Sequence, residues 1–420
     1  MPKTSNRTPV SVELDATPVQ VARGLRHLPS LVFLDSSSAE TGDFRKDAAL
    51  SIVAAQPAEV LTGNLFSEVD HGIIRAAVER YQVELPDFGF PCGGLIGGID
   101  YDGKFEFGVF PEMLIFDHAR ETWFEIGDLS REIDCAAELE NFSAPRFDFT
   151  GQMDRDSFCE IVSQAQEYIA AGDIYQVNLA HRLHTAWEQK SEPFALYERF
   201  REASPAPFAA FLNLDNRTVL STSPEQFLRM SGSHIQTRPI KGTRPRFRDR
   251  AKDEKSAYDL KTSPKEIAEL IMITDLERND LGQICEFGSV EASELLKLER
   301  YEQVFHLVST VEGQLRPEID HLAALAACFP GGSITGAPKK RAREIIDELE
   351  PEDRGLYTGS IGIFGFNGES RFNIAIRTAL IEQSELHFHV GAGIVADSDP
   401  EMEWEETLHK AAGILRACEG

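Results

Sequence analysis

The chain has 420 residues, 42% of them hydrophobic and 26% charged, and carries a formal net charge of −27. That length can bury a large core and favours two domains or subdomains. So acidic a surface repels nucleic acid and anionic membrane, and neither is expected as a partner. No apolar run is long enough to span a membrane, and the start, MPKTSNRTPVSVELD, lacks the apolar segment of a signal peptide.

Residues 1–150 read as short strands with turn-rich joints: Leu31–Leu34, Ser51–Ala54 and Gly93–Gly98, interrupted by a helix near Ile73–Tyr81. The polar segment Asn141-Phe142-Ser143-Ala144-Pro145 marks a boundary near 150, which divides the chain into 1–150 and 151–420. A helix follows over Asp154–Ala171 and stops at Gly172, then strands over Gln176–Leu183 and Ala209–Leu214. Further helices are predicted over Ser263–Leu276, from Pro338 to Leu349, and after Asp399 with Pro400 in the first turn. Ser360–Phe366, the turn Asn367-Gly368 and Arg371–Ile381 form a hairpin signal. Strands of this kind with interspersed helices indicate an α+β fold. The six cysteines (Cys92, Cys135, Cys159, Cys285, Cys328, Cys418) include no CxxC pair, which fits reduced thiols in a cytoplasmic protein.

Several stretches could carry chemistry. Arg238-Pro239-Ile240-Lys241-Gly242-Thr243 reads as a turn that holds one lysine close to a ligand, with a solvated loop lysine as the plain alternative. The window from Arg238 to Lys252 is basic in an acidic chain, which suits a small anionic substrate; a solvated basic loop also accounts for most of its arginines. Glu266 and Glu269 share a helix face, as do Glu403 and Glu406, with Lys410 one turn on. Such oxygen donors suit Mg²⁺, and solvated helix faces are the alternative. Pro330–Ala337 is a glycine-rich loop before a helix, able to meet an anion or simply to turn. Alternation over Phe372–Ile381 places Arg377 with Arg371, Asn373 and Ala375 on one face, solvated or a pocket wall. His306 lies among apolar neighbours as a core histidine or an acid, and Glu225 follows a strand, where it can reach a cleft.

Taken together, the strings GDIYQVNLAHR, STSPEQF, RPIKGT, AELIMITDLERNDLG, VFHLVSTVEGQL, FPGGSITGAPKKRAREIIDELEP, YTGSIGIF, IAIRTAL and GAGIVADSDPEMEWEETLHKA resemble the chorismate-utilising enzymes. That is the family of the anthranilate synthase and aminodeoxychorismate synthase large subunits. The strings follow the family's order across about 155–415, and FLDSS and PCGGLIGGIDYD resemble its N-terminal part more weakly. The resemblance implies mixed, largely antiparallel sheets packed with outer helices in two interlocked subdomains. It further implies that Gly242, Thr243, Tyr357, Arg377 and the backbone of Gly391-Ala392-Gly393 bind the carboxylates of chorismate. Glu269 and Glu406 would hold Mg²⁺ with Glu403 and Glu266 beside them, Lys410 would help neutralise the site, and Thr335-Gly336 would line it.

Two positions bear on the reaction. Anthranilate synthases typically have alanine where this chain has Lys241, whereas aminodeoxychorismate synthases have this lysine as a covalent nucleophile. Isochorismate- and salicylate-forming relatives typically have a lysine base where this chain has Gln176. The resemblance therefore implies amination of chorismate at C4, with Glu225 as the first candidate for the acid and His306 as the second. Anthranilate formation and a non-catalytic chorismate-binding subunit are the alternatives. No glutaminase or lyase segment is recognised, so a separate glutamine amidotransferase is expected to supply ammonia and a separate lyase to consume the product. Ser36, Pro207 and Phe208 match a region where relatives bind tryptophan, although Phe44–Ser51 departs from the usual string there.

Overall fold

The computed structural model describes residues 8–37, 50–82, 88–134, 146–188, 191–215, 217–301 and 303–419. The boundary segment 141–145, Cys135 and residues 44–49 of the departing string lie outside the described residues.

Two large sheets, of 12 and 10 strands among the described residues, form the frame. In the first, Leu50–Ala54 and Val32–Asp35 are followed by Phe208–Asn213, Thr218–Ser223, Thr378–Glu382, Glu385–Ile394 and Gln176–Ala186. In the second, Ile240–Pro245 and Val304–Gln314 stand at one end. His234–Arg238, Gln226–Ser231, Glu369–Asn373, Ser360–Gly365, Gly94–Ile99, Lys104–Phe110 and Val60–Asn64 follow. Strands from before and after residue 150 pair directly: Val32–Asp35 with Phe208–Asn213, and Gly94–Ile99 with Ser360–Gly365. The early strands thus complete both sheets instead of forming one of their own.

The sheets bury apolar residues against each other, among them Ile52, Ile96, Phe110, Leu212, Val219, Leu356 and Leu380. Each such side chain removed from water contributes about 1.5–3 kcal/mol. The helices Pro193–Ala203 and Pro400–Cys418 cover part of the first sheet, with Phe194, Tyr197, Phe200 and Ile414 turned inward. Helix starts follow their caps: Asp154, Ser263 and Asp399 each accept a backbone N–H from the first turn, a contact worth about 1 kcal/mol. Gly172 ends its helix in the left-handed conformation at φ +83°.

Three expectations are corrected. The strand predicted over Arg371–Ile381 is two strands in different sheets, because the chain crosses between them at Ile374–Ile376 and Arg377 takes φ +51°. The stretch around Lys241 is a bulged strand rather than a turn. Pro239, without an N–H, interrupts the ladder, and Gly242 at φ +75° makes the bulge between Lys241 and Thr243. Beyond Lys241 the basic window is not a single pocket: residues 246–249 are a loop, as the plain alternative has it, and Arg244 lies 3.6 Å from Glu266. Arg250–Lys261 is a helix, and Arg238, Arg246 and Arg250 pair with Glu299, Asp253 and Glu254.

Candidate active site

Two of the places where the chain passes from one sheet to the other each deliver a polar side chain. Glu225 lies between Thr218–Ser223 and Gln226–Ser231, and Arg377 lies between Glu369–Asn373 and Thr378–Glu382. The crossings are tied together: Ile374 N–H donates to Glu225 O at 3.1 Å, Ser223 Oγ to Ile374 O at 2.6 Å, and Thr222 N–H to Arg377 O at 3.0 Å.

Lys241 projects from the bulged strand, and its Nζ donates to the carbonyl of Ser333 at 3.3 Å. Glu225 is buried, and burial raises its pKa above the usual carboxylate range. The Ser333 hydroxyl, the Lys241 charge and the Ile240 N–H work against that rise. The carboxyl is thereby biased towards its protonated, proton-donating form. His306, opposite Thr243 in the ladder, binds Thr243 Oγ1 through Nδ1 at 3.0 Å. Burial, with the Arg377 charge nearby, pushes it down to about 3, so its imidazole is neutral. Arg377 makes no ion pair among the described residues, and burial lowers its pKa. A guanidinium in that state is a ready partner for a carboxylate.

The opposite wall is made by Glu385–Ile394 and Gln176–Ala186, where small residues keep space open. A Cβ on Gly393 would lie 2.8 Å from Gln176 Nε2 and 3.8 Å from Lys241 Nζ. One on Gly391 would lie 2.5 Å from Leu179 O and 2.9 Å from Tyr357 Oη. Ala392 between them is buried on the far face, against the core. Tyr357 stacks on His389 with ring centroids 5.4 Å apart, and burial pushes its phenol up to about 12. Lys410 bridges Glu406 Oε1 and Gly391 O, both at 2.8 Å.

Two helices bring the acidic set together. Glu266 and Glu269 come from Pro264–Gly282, Glu403 and Glu406 from Pro400–Cys418. Lys265 lies 4.0 Å from Glu269 and 3.5 Å from Glu403, and Ser398 Oγ donates to Glu403 at 2.7 Å. Burial raises Glu269 despite the Lys241 and Lys265 charges. Burial also pushes Glu406 upward, but Lys410, Lys265 and Lys241 outweigh it and leave that carboxyl low. Glu269 Oε1 and Glu403 Oε2 are buried without a hydrogen-bond partner. An all-carboxylate set with vacant oxygens fits a hard cation. Among the described residues no three His, Cys, Asp or Glu side chains close around an ion by themselves. A cation held here would need water and an anionic ligand to complete its shell, as Mg²⁺ does when it takes one or two carboxylates.

In the glycine-rich loop the residue set against Lys241 and Glu225 is Ser333. Thr335 turns its hydroxyl back to Gly331 O at 3.0 Å, and Gly336 pairs with Val177 in the first sheet. Sequence reading missed Ser333; its only signal was a hydroxyl directly after two glycines. Lys265 was also missed, although it precedes Glu269 by one helical turn. Away from this site, Ser36 Oγ donates to Leu50 O at 2.8 Å and Pro207 O at 3.2 Å. Ser36, Pro207 and Phe208 line a cavity of about 70 Å³ between the sheets.

Comparison with known proteins places this geometry. An anthranilate synthase component I-like protein of Synechocystis sp. is 43% identical over 315 residues, 73% of this chain and 65% of that protein. Aminodeoxychorismate synthase component 1 of Escherichia coli is 44% identical over 322 residues, 74% of this chain and 70% of that protein. The crystal structure of anthranilate synthase component I from Streptococcus pneumoniae superposes with a TM-score of 0.76 at 28% identity, covering 88% of this chain and 92% of that one. The family model described as chorismate binding enzyme matches residues 94–416, and the chain belongs to that family.

Proposed function

We propose that this protein aminates chorismate at C4 with ammonia to give 4-amino-4-deoxychorismate, with Lys241 as a covalent nucleophile. The observation that carries this reading is the position of Lys241 Nζ, against Ser333 O and across from Gly393. An alanine there would leave no nucleophile, and ammonia itself would attack C2 towards anthranilate.

In the proposed sequence the neutral lysine amine attacks C2 and the C4 hydroxyl departs as the ring double bonds shift. Glu225 supplies the proton with which that hydroxyl leaves as water. The adduct nitrogen returns its extra proton to Glu225. Ammonia then adds at C4, and the lysine nitrogen leaves C2 with the proton that the new C4 ammonium gives up. The balance is chorismate and ammonia in, aminodeoxychorismate and water out. Neutral His306 serves better to hold Thr243 and the bulge than as the acid. Arg377, Tyr357, Gly242, Thr243 and the Gly391-Ala392-Gly393 backbone would receive the substrate carboxylates, with Lys410 adding positive charge. Glu269 and Glu406 would hold Mg²⁺, with Glu403 and Glu266 beside them; when bound, the ion neutralises substrate carboxylate charge and fixes its orientation.

Ammonia would come from a separate glutamine amidotransferase subunit. The product would pass to a lyase that releases 4-aminobenzoate and pyruvate for folate synthesis. The test is product analysis with chorismate, Mg²⁺ and an ammonium salt. Aminodeoxychorismate, converted to 4-aminobenzoate by added lyase, is expected; accumulation of anthranilate and pyruvate would refute the assignment. The second reading, anthranilate synthase component I, has the Synechocystis relative in its favour.

A further inference from the structure

Glu277 lies two turns beyond Glu269 on the helix Pro264–Gly282, and its side chain is buried. Oε1 accepts the N–H of Gly332 at 3.0 Å, while Oε2 is buried without a partner. Gly332 is pressed onto it: a Cβ there would lie 2.5 Å from Leu276 Cδ2 and 3.1 Å from Glu277 Oε1. The nearby cation is used elsewhere, since Lys339 Nζ donates to Asp280 at 2.5 Å and to Cys328 O at 2.8 Å. Burial, and then the Asp280 charge, raise the Glu277 pKa. A buried carboxyl with no ion pair of its own stabilises a fold poorly compared with an apolar side chain of similar size. Its one hydrogen bond goes to the residue before Ser333, and Ser333 holds both Lys241 and Glu225.

We propose that Glu277 is a positioning residue: by accepting the Gly332 N–H it fixes the glycine-rich loop so that Ser333 presents its carbonyl to Lys241 and its hydroxyl to Glu225. The inference rests on Lys241 and Glu225 being the reacting pair. It extends the working site by one layer, from groups that meet substrate to the carboxyl that sets their distance.

The test measures chorismate consumption with ammonia and Mg²⁺ for Glu277→Ala, Glu277→Gln, Ser333→Ala and the double variant Glu277→Ala/Ser333→Ala. Misplacing reacting groups by about 1 Å costs roughly 100-fold, so Glu277→Ala should lower kcat by roughly 10- to 100-fold. The chorismate KM should stay within about threefold, because the groups that would receive the carboxylates are untouched. Glu277→Gln keeps an acceptor for Gly332 and should recover most of kcat. The double variant should be little worse than Glu277→Ala alone, because loosening the loop already gives up the hydroxyl contact that Ser333→Ala removes.

A folded Glu277→Ala enzyme with unchanged kcat would overturn the proposal. So would a Glu277→Gln variant as impaired as Glu277→Ala, or losses that multiply in the double variant. Should Glu277→Ala not fold, Glu277→Asp, one methylene short of Gly332, takes its place with the same expectations. Because total consumption is followed, a wrong product assignment leaves this test valid. Full activity in Lys241→Ala would instead sink the reading on which it rests.

Discussion

Lys241 Nζ donates to the backbone carbonyl of Ser333 at 3.3 Å, so the candidate nucleophile is held by a main-chain group that cannot be lost by side-chain substitution. Its separation from the position of a Gly393 Cβ, 3.8 Å, sets the amine beside the proposed substrate space. Lys241→Ala should therefore abolish C4 amination while the protein remains folded, since the side chain is only partly buried. Chromatography and mass spectrometry of the products provide the check. Nitrogen appearing at C2 is the expected trace of direct ammonia attack, and undiminished C4 amination would rule out covalent catalysis by this residue.

Glu225 should behave as an acid whose protonated form persists above the ordinary carboxylate range, because burial raises it. The rate supported by its proton should be full at low pH and fall as pH rises through the raised pKa. Glu225→Gln should lower kcat by roughly 10²–10⁴-fold and remove that limb of the pH–rate profile. A profile unchanged in Glu225→Gln would move the acid role elsewhere.

Where capping residues and apolar periodicity agreed, the fold was legible. Asp154, Ser263 and Asp399 mark helix starts by local hydrogen bonds that depend on nothing distant. The errors occur where long-range pairing decides. Pro239 and Gly242 carry turn chemistry, yet Val304–Gln314 supplies a ladder that makes their segment a strand. Arg377 obeys the alternation of one strand but sits at a crossing between two sheets, an arrangement no local pattern encodes. Ser333 was passed over for the same reason. Its neighbours explain a turn, and its contacts come from residues 92 and 108 positions away.

Acid should destabilise this fold before it acts on catalysis. His181 is lowered to about 4, His306 and His387 to about 3, and His389 well below its ordinary value, all chiefly by burial. A depressed folded-state pKa contributes stability above the unfolded value near 6.5, lost as pH falls towards the folded one. At pH 5 each such histidine withdraws up to about 2 kcal/mol relative to pH 7. Denaturant melts at pH 7 and pH 5 should show this loss, and His389→Gln should reduce it. An unchanged midpoint at pH 5 would contradict the burial argument.

Gly393 and Gly391 should differ although they stand two residues apart on one strand. A methyl at Gly393 meets the Gln176 amide and enters the space before Lys241, so Gly393→Ala should raise the chorismate KM with little change in melting temperature. At Gly391 the methyl would press on Leu179 O at 2.5 Å, and the backbone there has to shift. Gly391→Ala should therefore lower the melting temperature as well as activity. Thermal melts alongside Michaelis curves would separate the two, and equal losses of stability would refute the distinction.

The acidic set should bind Mg²⁺ through Glu269 and Glu406 more than through Glu403. Glu403 holds Ser398 and Lys265 through Oε1 and its vacant Oε2 is buried, whereas Glu406 is half-exposed and held low by lysines, hence ionised and ready to ligate. Glu269→Gln and Glu406→Gln should each weaken Mg²⁺ binding strongly, measured by calorimetry in the presence of chorismate. Glu403→Gln, acting only on how its neighbours are oriented, should cost about 10- to 100-fold in affinity. Chelation should abolish turnover reversibly, and chorismate should bind more weakly without the ion, because the ion completes its shell with the ligand's own oxygens. A Glu403→Gln loss larger than either of the others would reverse the assignment of ligands, and turnover undiminished by chelator would remove the ion from the reaction.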